Sequence, residues 1–149
     1  MLISHKCRYA LSALLELSRR YGQGPVSSSA IAEAQGIPQR FLEAILSQLT
    51  RGGFIASRRG NQGGYVLIAE PAELAVGVVV RFVQGSVDIG AARDVPPETC
   101  SPQGECAFMG MWERVGRAIS EVLDTTTFRD LLEEEARLKD HAFIPSYAI

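Results

Sequence analysis

Three kinds of side chain in this 149-residue sequence carry chemistry: thiols at Cys7, Cys100 and Cys106, imidazoles at His5 and His141, and adjacent guanidinium groups at Arg58 and Arg59. Cys100 and Cys106 are spaced C-x5-C just ahead of an apolar helical pattern. That spacing lets two thiolates share a soft metal, or lets the pair cycle between dithiol and disulfide. Plain buried thiols are the third reading. Cys106 falls at the start of the helical pattern, where the helix dipole favours thiolate. The two histidines stand near opposite termini, and no Ser or Cys has a nucleophile signature, so an enzyme would lack an acid–base pair. The run Gly60-Asn61-Gln62-Gly63-Gly64 beside the arginines is no phosphate loop, because it lacks the GxxxxGK signature and a following helix.

Residues 28–65 must hold those arginines. A short helix over residues 28–35 ends at Gly36, which tolerates a left-handed exit, and Pro38 suits the first turn of a second helix. In that helix Phe41, Leu42, Ile45, Leu46 and Leu49 fall on one face, leaving Gln39, Arg40, Glu43, Ser47 and Thr50 outward. After Gly52-Gly53 the period changes to two short strands, residues 54–58 and 65–67, joined across the glycine run. A helix with an extended polar face fits a DNA major groove, and arginines on a narrow ribbon reach phosphates or the minor groove beside it. The pattern predicts a winged helix-turn-helix; a small three-helix bundle with an ornamental hairpin is the plainer alternative.

The charge distribution agrees with that division. Residues 1–66 carry eight Lys or Arg against three acids, and the remainder seven bases against fourteen acids, although the whole chain nets only −2. Cationic surface therefore goes with the predicted reading head, as phosphate attraction requires. No apolar run approaches a membrane span and no secretory signal pattern opens the chain, which places it by expectation in the cytoplasm.

The other elements frame the head. Residues 4–21 read as a first helix with Arg19-Arg20 near its C-terminal end, where cations suit the dipole. Residues 72–84 are ambiguous: five valines favour a strand, yet Val76, Val79, Val80 and Val83 share a helical face. Residues 85–105 read as a long loop. A helix over residues 107–123 carries a continuous stripe of Phe108, Met111, Trp112, Val115, Ile119, Val122 and Leu123, suited to burial against a second copy. Thr127 and Asp130 have capping-box spacing before a last helix, residues 128–139, whose Glu133-Glu134-Glu135 run reads as solvated surface. The expected organisation is a mainly α chain with a small β-wing: a winged helix-turn-helix at 1–70, a sensor loop and dimerisation helices at 71–140, and a tail at 141–149.

Five blocks together, HKCRYALSALLEL, IAEAQGIPQRFLEAILSQL, RRGNQGGYVL, CAFMGMWERVGRAI and TTTFRDLL, resemble the IscR-type family of bacterial winged-helix transcription regulators. The resemblance implies a helical reading of residues 72–84 and a homodimer held by the long helix through Phe108, Met111, Trp112, Val115, Ile119 and Val122. It also implies binding, as a repressor, to a palindromic promoter site on double-stranded DNA. It sets Pro38, Gln39, Arg40, Phe41 and Glu43 toward the major groove, with Ser28 beside them and Arg58, Arg59, Gly60, Gln62 and Gly63 on the wing. Many members hold an iron–sulfur cluster on three loop cysteines and a variable fourth ligand. Cys100 and Cys106 match the second and third of those cysteines, the place of the first, near Ala92, holds no thiol, Met109 stands where some members have histidine, and Arg8 replaces an acid used by others. Cys7, or His5, contributed from the partner subunit would complete an unconventional ligand set. The alternative function is a winged helix without a cofactor, either regulatory or turned toward a protein surface, its cysteines structural or a dithiol switch.

Overall fold

Ser4 starts the described architecture by accepting the Cys7 amide on its hydroxyl at 3.1 Å, which fixes the first turn of α1, His5–Arg19. The structure is a computed structural model, and it describes residues 3–85 and 105–142. The chain continues through α2 (Ser28–Gln35), α3 (Gln39–Arg51), β1 (Ile55–Arg58), β2 (Gly64–Leu67), α4 (Val76–Gln84), α5 (Glu105–Thr125) and α6 (Phe128–Ala142). Most of the predicted 85–105 loop, including Cys100, lies outside the described residues, as does the tail from residue 143. His141 and Ala142, expected in the tail, belong to α6 instead.

Helices α2 and α3 form as their punctuation requires. Ser27 caps α2 by accepting from the Ala30 amide, and Gly36 leaves it in the left-handed region at φ 61°. Pro38 stands one residue ahead of α3 and its carbonyl accepts from both Phe41 and Leu42. Leu42, Ile45, Leu46 and Leu49 are buried as the period predicts. Phe41 is not: it is 47% exposed, whereas Ile37 of the turn is buried in the core.

The ambiguous valine segment is a helix. Its β-branched residues are poor helix formers, but Val76, Val79 and Val80 bury against the head, and packing outweighs a few tenths of a kcal/mol per residue of propensity. The entry to α4 is held by the Val76 amide donating to the Thr126 carbonyl at 2.9 Å, and Phe128 donates back to Leu74 at 3.1 Å. The Thr127–Asp130 box forms as expected, with Asp130 N donating to Thr127 Oγ1 and Thr127 N to Asp130 Oδ2. The Thr127 hydroxyl, which donates to the same Oδ2 at 2.7 Å, and the Thr127 amide together hold the Asp130 carboxyl below its usual range.

Both ends of the chain meet in one core, which includes Leu14, Leu17, Ile31, Leu42, Leu49, Ile55, Val80 and, from α6, Phe128. The Glu133–Glu135 run is only partly the solvated surface expected of it. Arg19 Nη2 donates to Glu135 Oε1 at 2.8 Å and Oε2 at 3.0 Å, tying α6 to α1 and lowering the Glu135 pKa.

Candidate nucleic-acid interface

With its apolar face buried, α3 presents Gln39, Arg40, Phe41, Glu43 and Ser47 to solvent. The side chains are organised before any partner arrives. The Arg40 guanidinium lies over the Phe41 ring at 4.6 Å, a stack that limits where the cation can point. Gln39 Nε2 donates to Ser28 Oγ at 2.9 Å and to Glu43 Oε1 at 3.3 Å, so Ser28, Gln39 and Glu43 form one polar cluster across α2 and α3.

The wing is a two-stranded antiparallel ribbon with Ile55 opposite Leu67 and Arg58 opposite Gly64. It is fixed to the head through Val26, whose amide and carbonyl both pair with Tyr65, at 2.9 and 2.8 Å. This docking explains the glycines. A Cβ on Gly64 would collide with the Val26 carbonyl and come within 2.8 Å of the Ser27 nitrogen, and one on Gly63 would collide with the Arg58 carbonyl. Gly63, expected among the DNA contacts, thus has a packing reason to be glycine: its amide closes the tip onto the Gly60 carbonyl at 3.0 Å. Arg58, Arg59, Gly60 and Gln62 are all exposed along the tip.

Ion pairing separates the arginines into two groups. Among the described residues, Arg19, Arg20, Arg81 and Arg137 engage carboxylates, whereas Arg40, Arg58 and Arg59, like Arg8, Arg51, Arg114, Arg117 and Arg129, engage none. Arg40, Arg58 and Arg59 therefore present exposed positive charge, without a carboxylate partner among the described residues, on the reading helix and wing, where a polyanion would find it.

Helix α5 divides along its length. Ile119 and Leu123 pack on the head, and Arg81 of α4 clamps Asp124 through bonds of 2.6 and 2.9 Å. Val115 is half-buried, but Phe108, Met111, Trp112 and Val122 are exposed, at 55%, 42%, 41% and 63%. Of the predicted stripe, Val115, Ile119 and Leu123 are partly buried among the described residues, and the other four side chains are exposed.

Cys7 is fully buried within the core of the head, and burial pushes its thiol pKa up. A ligand role would require both deprotonation and withdrawal from that core. Cys100 and the side chain of Cys106 lie outside the described residues, and among the described residues no group of three or more His, Cys, Asp and Glu could hold a metal ion. The described residues thus do not by themselves fit a cluster.

Sequence reasoning missed Glu16, which is 2% exposed and receives Arg19, Arg20 and Gln35. Its signal was present: an acid on the apolar stripe of α1, followed by arginines three and four residues on.

Comparison with known proteins extends the geometry. The family description Rrf2, an iron-dependent transcriptional regulator, matches residues 3–134. The chain is 37% identical over 131 residues to the HTH-type transcriptional regulator CymR of Bacillus subtilis, covering 88% of this chain and 89% of the relative. It is 36% identical over 135 residues to the HTH-type transcriptional regulator IscR of Serratia proteamaculans, covering 91% and 81%. The solved structure of CymR, described as the global cysteine regulator of B. subtilis, superposes with a TM-score of 0.77 at 34% identity, covering 90% of this chain and 98% of that one. Named relatives are transcriptional regulators and not enzymes, and the winged-helix fold is theirs.

Proposed function

We propose, from the premise that this chain belongs to the Rrf2 family of transcriptional regulators, that it is a homodimeric DNA-binding repressor acting in the cytoplasm on a palindromic promoter site. The observation that carries this reading is the placement of three exposed arginines without ion pairs among the described residues, Arg40 on α3 and Arg58 and Arg59 on the wing, beside a polar helix face. In this reading α3 enters the major groove and Arg40 reaches a guanine edge in bidentate fashion. Arg58 and Arg59 lie against phosphate or in the adjacent minor groove. Glu43 accepts from cytosine and repels phosphate, which penalises wrong sites.

The two kinds of arginine give different outcomes. Arg59→Ala is expected to weaken all duplexes about equally and, because a homodimer loses one phosphate contact per copy, to reduce the salt slope by about two units. Arg40→Ala is expected to relax preference at one base pair, a discrimination of about 1–3 kcal/mol. Binding measured on duplexes with single base changes checks this, and a reversed pattern would remove the assigned division.

The sensing element in this reading is the Cys100–Cys106 pair at the entrance to α5, responding to redox or iron–sulfur status; the burial of Cys7 argues against its joining them. Purification without oxygen, an absorption spectrum with iron and sulfide assays, and duplex binding before and after a thiol oxidant test it. The native chain is expected to show bound colour or an oxidant response, and the C100A/C106A double variant neither. A signal that survives in the double variant, or none in the native chain, would exclude the pair.

A further inference from the structure

Glu16 is a carboxylate in the core of a small domain, and taking such a charge out of water costs several kcal/mol unless it is paired and hydrogen-bonded. Here it is fully engaged, and its partners come from different parts of the fold. Arg20 Nε reaches Oε1 at 2.7 Å, Arg19 Nη1 reaches Oε2, and Gln35 Nε2 donates to Oε2 at 3.0 Å. Gln35 is the last residue of α2, immediately before the elbow that aims α3. Arg19 has a second commitment, since its Nε and Nη2 hold Glu135 of α6 at 2.8 to 3.3 Å. Glu135 in turn has Lys139 one turn on, at 3.6 Å. An unbroken chain of charged and polar contacts therefore runs from α6 through Arg19 and Glu16 to the elbow.

We propose that Glu16 and Arg19 are positioning residues that transmit the placement of α6 to the helix-turn-helix elbow, so that the C-terminal arm sets the aim of the reading helix. The functional half of this statement rests on the DNA reading above. A guanidinium shared between two carboxylates has two arrangements. While α6 is seated, Glu135 takes two of its nitrogens and leaves the third for Glu16. When α6 shifts, Arg19 is released to turn wholly onto Glu16 or to follow α6, and either move alters the hold on Gln35. The elbow responds because the amides of Gly36 and Ile37 both donate to the Ala32 carbonyl, so loosening of Gln35 frays that exit turn directly. Movement of α5 and α6 at the far end of the chain thereby acquires a route to the interface. Contiguity alone does not establish coupling, so the test must measure it.

The test is a mutant cycle on the full chain with Glu135→Gln, Gln35→Met and both together. NMR-detected amide exchange at Gly36 and Ile37 is read beside affinity for a duplex recovered by in vitro selection with the native protein. Glu135→Gln is expected to speed exchange at those two amides, and to weaken the selected duplex, by at least about five-fold each. Gln35→Met is expected to do the same, and the double variant no more than Gln35→Met alone. Faster exchange confined to α6 with unchanged Gly36 and Ile37, or effects that simply multiply, would overturn the proposal. If native protein selects no duplex, the DNA reading fails while the exchange cycle still decides the coupling.

Discussion

Replacement of Phe108 and Trp112 together by glutamate is expected to leave a folded chain that sediments as a monomer and binds a palindromic duplex at least about 100-fold more weakly. Both side chains are roughly half exposed on α5, with Met111 and Val122 exposed on the same helix, and neither belongs to the core formed by the described residues. Burying each against a second copy would contribute about 1.5–3 kcal/mol. Two charges placed in that seam would have to be desolvated without partners. The affinity follows from the assembly, because a dimer brings its second head to the second half-site at high effective concentration, whereas a monomer must bind each half-site separately. Sedimentation and duplex titration of the same sample check both parts. A dimer that survives the change would place the interface elsewhere.

Phe128→Ala is expected to destabilise the chain by about 3–5 kcal/mol. Phe128 is the largest fully buried side chain among the described residues, and it enters the core from the first turn of α6. The backbone around it is already committed, with its own amide on Leu74 and the Thr127–Asp130 box behind it, so the chain cannot easily collapse into the vacated space. Phe128→Leu keeps most of the volume and is expected to cost less than half as much, roughly 1–2 kcal/mol. Thermal unfolding distinguishes them: the alanine variant is expected to melt about 10 °C lower. A shift within about 2 °C would mean that α6 is not anchored through this residue.

What the sequence made legible was local. Gly36, Pro38 and the Thr127–Asp130 box act on their own neighbours, so the helix boundaries they set can be read without knowing the fold. The glycine-rich wing was legible for the same reason, although the collision of a Gly64 Cβ with Val26 depends on a segment nearly forty residues away. Residues 72–84 were not legible from valine content because strand propensity and helical period gave opposite answers, and the core under α4 decided between them. Phe41 shares the apolar period of α3 yet is exposed under the Arg40 guanidinium, while Ile37 of the turn is buried, and period alone does not separate the two. Glu135 looked like solvated surface because its partner, Arg19, lies at the other end of the chain. For Cys7, the thiol suggested ligand chemistry, whereas the helix it occupies turns it into the core.

The central claim is that two copies of one cationic head engage one duplex. It is tested most directly by titrating a fluorescent duplex carrying the selected site across a range of salt concentrations, with sedimentation to count chains per duplex. Two chains per duplex are expected, with log affinity falling linearly against log salt at a slope of about −3.6 or steeper, as phosphate contacts by Arg58 and Arg59 on both copies require. One chain per duplex, or affinity indifferent to salt, would contradict it.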